Sequence, residues 1–124
     1  MFDTLHTCAV CGRAQPAHAF HKAQLNRRKR KPWCKTCCRD YQLAKKFKIG
    51  LSDYAAMLEG QGGCCKICGS DQPASNGKAE FCVDHDHRSG RVRGLLCNKC
   101  NIGLGAFKDS VDTLRRAIAY LEGA

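Results

Sequence analysis

Two Cys-x2-Cys pairs, Cys65-Lys66-Ile67-Cys68 and Cys97-Asn98-Lys99-Cys100, bracket a block dense in carboxylates and imidazoles, Asp84-His85-Asp86-His87. Each pair brings two thiolates within reach of one ion, and two pairs complete a tetrahedral four-cysteine zinc site. A bound ion would fasten the start of this stretch to its end. Asn101 follows Cys100 directly, so the same anchor holds the backbone that presents its amide oxygen. Asp84, His85 and Asn101 are therefore expected to converge from distant positions in the chain.

A second pairing lies upstream. Cys8-Ala9-Val10-Cys11-Gly12 reads as a knuckle whose glycine suits a tight turn. Its mate is Cys34-Lys35-Thr36-Cys37, and Cys8, Cys11, Cys34 and Cys37 are expected to hold a second structural zinc ion. His18 and His21 compete with the second pair, but the step from Cys11 to His18 is too short for a ββα finger helix. Both histidines read as surface residues. Cys38, Cys64 and Cys82 are left over; Cys64 could stand in for Cys65, although the x2 spacing and Gly69 favour Cys65. Eleven cysteines is an odd number. No apolar signal peptide opens the chain and no stretch is long enough to cross a bilayer. Metal in a reducing cytoplasm is thus expected over disulfides.

At 124 residues the length suggests a modest core. Two regions are predicted: residues 1–50, a zinc knuckle with a basic loop and helix, and residues 51–124, a zinc-clamped core with a C-terminal helix. The formal charge is +10. Each four-thiolate site with its dication carries −2, which lowers the total to about +6 and leaves a basic surface suited to a polyanion. Arg27, Arg28, Lys29, Arg30 and Lys31 form a run that could be a solvated loop tip, and reads better as an arm gripping DNA phosphates. Arg91 and Arg93 are expected to join them. Trp33, beside the run, reads as a cover for the zinc site in preference to a base-stacking group.

Helical periodicity runs from Cys38 to Ile49 with Leu43, Ala44 and Phe47 on one face, and Gly50 is expected to end it. Ser52 is expected to cap a short helix stopped by Gly60, Gly62 and Gly63. Residues 70–79 read as a loop. Glu80 to Asp84 and Arg91 to Leu96 read as strands around an Arg88-Ser89-Gly90 turn. A helix is predicted over Asn98 to Phe107, and another after Ser110 whose stripe of Val111, Leu114, Ala117, Ile118 and Leu121 reads as core. Residues 1–7 read as a loose terminus. The fold class predicted is a small zinc-stabilised α+β protein with a ββα-metal core.

The chemistry follows from donor type. Asp84 and the Asn101 amide oxygen make an oxygen-only pair suited to Mg²⁺ or Mn²⁺. Histidine titrates near neutrality, so His85 is the candidate general base for a hydrolytic water. Adjacent strand residues face opposite ways, so Asp84 and His85 can serve one phosphate only if regular pairing breaks near Asp84. His87 and Asp86 are second-tier candidates: His87 could orient phosphate or support the site, and Asp86 could join the metal.

Asp84-His85-Asp86-His87, then Gly90-Arg91-Val92-Arg93-Gly94-Leu95-Leu96-Cys97, then Cys100-Asn101, resembles the phage recombination endonuclease VII family. The resemblance covers roughly the last half of the chain. It implies a DNA-junction-resolving nuclease of His-Me finger, HNH-like type, with Asp84 and Asn101 on the catalytic ion, His85 as base and the four core cysteines on zinc. The first half fits short members with an extra N-terminal knuckle and lacks a long dimerising helical region. Coordinated cuts at a junction require two active sites, so a homodimer through the helices between Cys38 and Gly60 is a further expectation. Two alternatives stand beside it: nicking of ordinary duplex by the same chemistry, and a zinc-dependent DNA-binding module without catalysis.

Overall fold

The computed structural model describes residues 4–26, 31–74 and 80–123, and among these residues it has four short strands and five α-helices. They fall into two units, one running to Tyr54 and the other from Ala55.

In the first unit, β1 (Leu5–Thr7) pairs antiparallel with β2 (Ala14–Pro16), Leu5 opposite Pro16. The expectation of a loose start is corrected here from residue 5 onward. The knuckle turns the chain back on itself: Cys8 N–H donates to the Arg13 carbonyl at 3.0 Å, and Gly12 sits at φ +72°. A 3₁₀ turn (Ala17–Ala19), the short α1 (Lys22–Leu25) and the longer α2 (Lys35–Phe47) follow. Phe20, Cys8 and Cys34 are buried together, with Ala19, Leu25 and Cys37 against them.

The helix after Cys34 ends earlier than the sequence suggests. Lys48, not Gly50, takes the left-handed conformation at φ +61°, and its N–H returns to the Ala44 carbonyl. Gly50 instead precedes α3 (Leu51–Gly60), and Ser52 lies inside that helix and not at its cap. Carboxylates take the capping position: Asp53 Oδ2 accepts from Gly50 N–H at 2.8 Å, and Asp40 Oδ1 from Leu51 N–H at 2.9 Å. A full negative charge at the positive end of a helix outcompetes a hydroxyl.

In the second unit, Gly62 and Gly63, at φ +69° and +74°, turn the chain out of α3. β3 (Cys82–His85) and β4 (Val92–Leu96) form an antiparallel hairpin, and α4 (Asn98–Ala106) packs on both strands. This is a ββα unit. Leu95, Leu96 and Phe81 are buried in it, as are Cys65 and Cys97. The Gln61 carboxamide supplies β4 with a substitute strand: its oxygen accepts from Leu95 N–H and its nitrogen donates to the Leu95 carbonyl, both at 2.9 Å. Finally α5 (Val111–Leu121) is capped as predicted, Ser110 Oγ accepting from Thr113 N–H at 3.1 Å. Its apolar stripe is not core. Val111, Ile118 and Leu121 are 58%, 56% and 82% exposed, and Leu114 and Ala117 are only half-buried.

Candidate active site and metal centres

The cysteines form two clusters among the described residues: Cys8, Cys11, Cys34 and Cys37, and Cys65, Cys68, Cys97 and Cys100. Within each, the sulfurs all lie within 4.8 Å of one another. Zinc–thiolate bonds of about 2.3 Å in a tetrahedron set sulfurs about 3.8 Å apart, and Cys68 Sγ lies 3.7 Å from Cys97 Sγ. Four sulfurs so disposed fit zinc in both donor type and spacing. His18, His21 and Cys64 stand outside the clusters.

Both clusters are built alike. A knuckle supplies two cysteines and is closed by a left-handed glycine, Gly12 or Gly69. A helix supplies the other two, from its N-cap and third residue: Cys34 and Cys37 on α2, Cys97 and Cys100 on α4. Burial raises the Cys8 thiol, yet the amides of Cys11, Cys34 and Val10 together bring it down to about 6. Burial and then the amides of Cys97, Cys68 and Ile67 leave Cys65 at about 6 as well. Burial and the neighbouring sulfurs push Cys37 and Cys100 up to about 12. Four sulfurs this close cannot all ionise without a cation among them.

The hairpin carries the candidate catalytic residues. Asp84 pairs with Gly94 but His85 pairs with Val92, so Arg93 is an extra residue bulged out of β4. The expected break in regular pairing falls between Asp84 and His85, but the inserted residue sits on the opposite strand. Arg93 turns onto Asp84 with two charge-assisted hydrogen bonds, Nε to Oδ2 at 2.7 Å and Nη2 to Oδ1 at 2.9 Å. Its Nη2 also reaches Asp109 Oδ2 at 3.3 Å. The Asp84 hydrogen bonds, ahead of an opposing burial effect, raise the guanidinium above its ordinary range. A cation thus already lies between two carboxylates, which suits this position to positive charge.

His87 extends the group. Its Nε2 lies 3.7 Å from Asp109 Oδ2, and its ring meets the His85 ring edge-on with centroids 4.7 Å apart. Asp109 is held at φ +55° beside Lys108 at +53°. Two consecutive non-glycine residues in this region are costly. Asp86 serves the hairpin turn, its Oδ1 accepting from Arg88 N–H at 2.7 Å and Ser89 N–H at 3.2 Å. Those amides hold its carboxyl below the usual carboxylate range.

An open groove of about 350 Å³ runs past Asp84 and Arg93 to Leu104 on α4. Asn101 lies one turn before Leu104, on the same face of α4. Its N–H donates to the carbonyl of Cys97, the helix cap in the core cysteine cluster, at 3.0 Å. Lys66, from the knuckle, lines the groove and donates to the Arg93 carbonyl at 3.1 Å. It passes over Gly94, where an added Cβ would come within 2.7 Å of Lys66 Cδ.

Of the candidate DNA contacts, Arg27, Arg28, Lys29 and Arg30 lie outside the described residues, Lys31 and Arg91 are exposed, and Arg93 is engaged with Asp84 and Asp109. The sequence reading missed Asp109, Gln61 and Lys66. Asp109 had one weak signal, an acid directly before the Ser110 helix cap. Gln61 had none.

The family described as recombination endonuclease VII matches residues 40–123. The gene 59 proteins of Mycobacterium phages D29 and L5 are 39% and 38% identical to this chain over 102 residues, 73% of it in each case. The chain spans 60% of the length of either phage protein. A crystal structure of the ββα-Me type II restriction endonuclease Hpy99I is 27% identical, covering 97% of this chain and 66% of that one, with a TM-score of 0.44.

Proposed function

This chain belongs to the recombination endonuclease VII family, and from that premise we propose that it is a divalent-metal-dependent endodeoxyribonuclease hydrolysing phosphodiester bonds in branched or distorted DNA. The observation that carries the reading is the bulged hairpin, with Asp84 and His85 at the irregular step and α4 packed against both strands. The branched substrate rests on the family's recombination association. A role inside a phage-infected cell rests on the two phage relatives.

Asp84 and Asn101 would hold the catalytic ion, and their oxygen-only donor set fits Mg²⁺ or Mn²⁺. Bound there, such an ion supplies stabilisation of negative charge on the phosphate and the leaving oxygen. His85 takes a proton from the attacking water as its oxygen bonds to phosphorus and the bond from phosphorus to the leaving oxygen breaks. His87, against the His85 ring, restricts the tilt of that ring and links it to Asp109. Arg93, released from Asp84, is placed to meet a phosphate oxygen while Asp109 retains it. The two cysteine clusters bind structural zinc, and the core one holds the start of α4 and hence Asn101.

The test is cleavage of a four-way junction and of a matched linear duplex, with and without added Mg²⁺ or Mn²⁺. Cutting is expected only with the added ion, and faster on the junction. His85→Ala is expected to lose about 10²- to 10⁴-fold in rate while keeping two zinc ions per chain. Undiminished cutting by that variant would remove His85 from the mechanism. Equal rates on both substrates would remove the branched-DNA preference alone.

A further inference from the structure

The positive charge of this chain is not shared between its units. Residues 1–54 hold 12 Lys and Arg against 3 Asp and Glu, a net +9, whereas residues 55–124 hold 9 against 8, a net +1. A polyanion is therefore held chiefly by the first unit, of which residues 1–39 lie outside the family match. Within that unit Trp33 and Tyr41 form an aromatic pair, their centroids 5.4 Å apart and their planes at 85°. In an edge-on pair the edge of one ring meets a single face of the other, so the pair itself leaves the opposite face uncovered. Tyr41 is 52% exposed.

The pair is also held in place. The Trp33 main-chain N–H donates to Gln24 Oε1 at 3.2 Å, and the Trp33 carbonyl accepts from Cys38 Sγ at 3.7 Å. Trp33 immediately precedes Cys34, whose burial in the cysteine cluster fixes the backbone there. Lys45 lies one turn beyond Tyr41 on the same face of α2 and is exposed, as are Lys31 and Lys35.

We propose that Trp33 and Tyr41 form a stacking platform for an unpaired nucleobase, with Lys31, Lys35 and Lys45 taking the flanking phosphates. An aromatic face can stack only on a base whose own face is free, which a paired duplex interior does not offer. The platform thus selects single-stranded or flared DNA, and it turns the expected role of Trp33 from a cover for zinc into a contact. The proposal rests on the nuclease reading only in taking DNA as the polymer.

Trp33 is the sole tryptophan, so its emission reports the site without a label. The experiment titrates full-length His85→Ala protein, without added Mg²⁺, with a short oligothymidylate and with a blunt duplex of equal length. Binding is followed in parallel by anisotropy of labelled DNA. The single strand is expected to quench Trp33 and the duplex to quench it far less. Tyr41→Ala is expected to weaken single-strand binding about tenfold, and Tyr41→Phe to restore it. Zinc content of both variants serves as the check on folding; if Tyr41→Ala fails it, Lys45→Gln replaces it, with an expected loss of about threefold and a shallower salt dependence. Single-strand binding by anisotropy with Trp33 emission unchanged would overturn the proposal, as would equal quenching by duplex. Either result would leave the cleavage reading standing. Quenching without any Mg²⁺-dependent cutting by the unsubstituted protein would do the reverse.

Discussion

Arg93 and Asp84 hold each other at the place where a divalent ion is proposed to bind. The guanidinium is 37% exposed and the carboxylate 12%, so solvent screening keeps the pair's worth to about 1 kcal/mol. An ion taking Asp84 must displace it, and a competitor of that size weakens ion binding about fivefold. Arg93→Gln is accordingly expected to bind Mn²⁺ about fivefold more tightly in the absence of DNA, by calorimetry or by the electron paramagnetic signal of free Mn²⁺. Its cleavage rate is expected to fall, since the phosphate loses a partner. Mn²⁺ binding unchanged or weakened in that variant would show that Arg93 does not compete for the site. Asp109 reached this group through the loop after α4, and its left-handed backbone is what aims the carboxylate back at Arg93 and His87.

At the scale of elements, the hairpin depends on contacts from outside it. Gln61 pairs with the peptide of Leu95, and Lys66 crosses Gly94 to the Arg93 carbonyl. Gly94 lies outside the left-handed region, so its lack of a side chain matters for space. Gly94→Ala is expected to push the exposed Lys66 side chain off the Arg93 carbonyl and cost about 1 kcal/mol in denaturant unfolding, the worth of that hydrogen bond. A change below about 0.5 kcal/mol would show that Lys66 moves without consequence. The helix ends show the same dependence on neighbours. Asp40 and Asp53 displaced Ser52 as cap because α2 brings Asp40 to the amide of Leu51, which local pattern cannot reveal.

At the scale of the molecule, metal and proton compete for the same sulfurs. Cys8 and Cys65 are depressed from an ordinary 9.0 to about 6. A depressed acid contributes its full stabilisation above the ordinary value and loses it as pH falls through the folded one. Zinc is therefore expected to stay bound at pH 7.5 and to leave in acid as protons take the sulfurs, two ions per chain, read with a chromogenic chelator. Release complete by pH 7, or a single ion per chain, would contradict the paired clusters. Loss of both ions is expected to unfold the chain cooperatively with it, since Cys8 and Cys34 sit in the core of one unit and Cys65 and Cys97 in that of the other.

Cysteine spacing alone was enough to assign all eight cluster sulfurs and to reject Cys64, His18 and His21, because ligand spacing is a short-range property of the chain. The ββα order, the Ser110 cap and the need for a broken strand near Asp84 were legible for the same reason. What only the tertiary structure decided was which residue breaks that strand, which acid joins Arg93, and that the stripe on α5 lies exposed. Each depends on what stands opposite a residue in space, and an amphipathic pattern records that a face is apolar without recording what covers it.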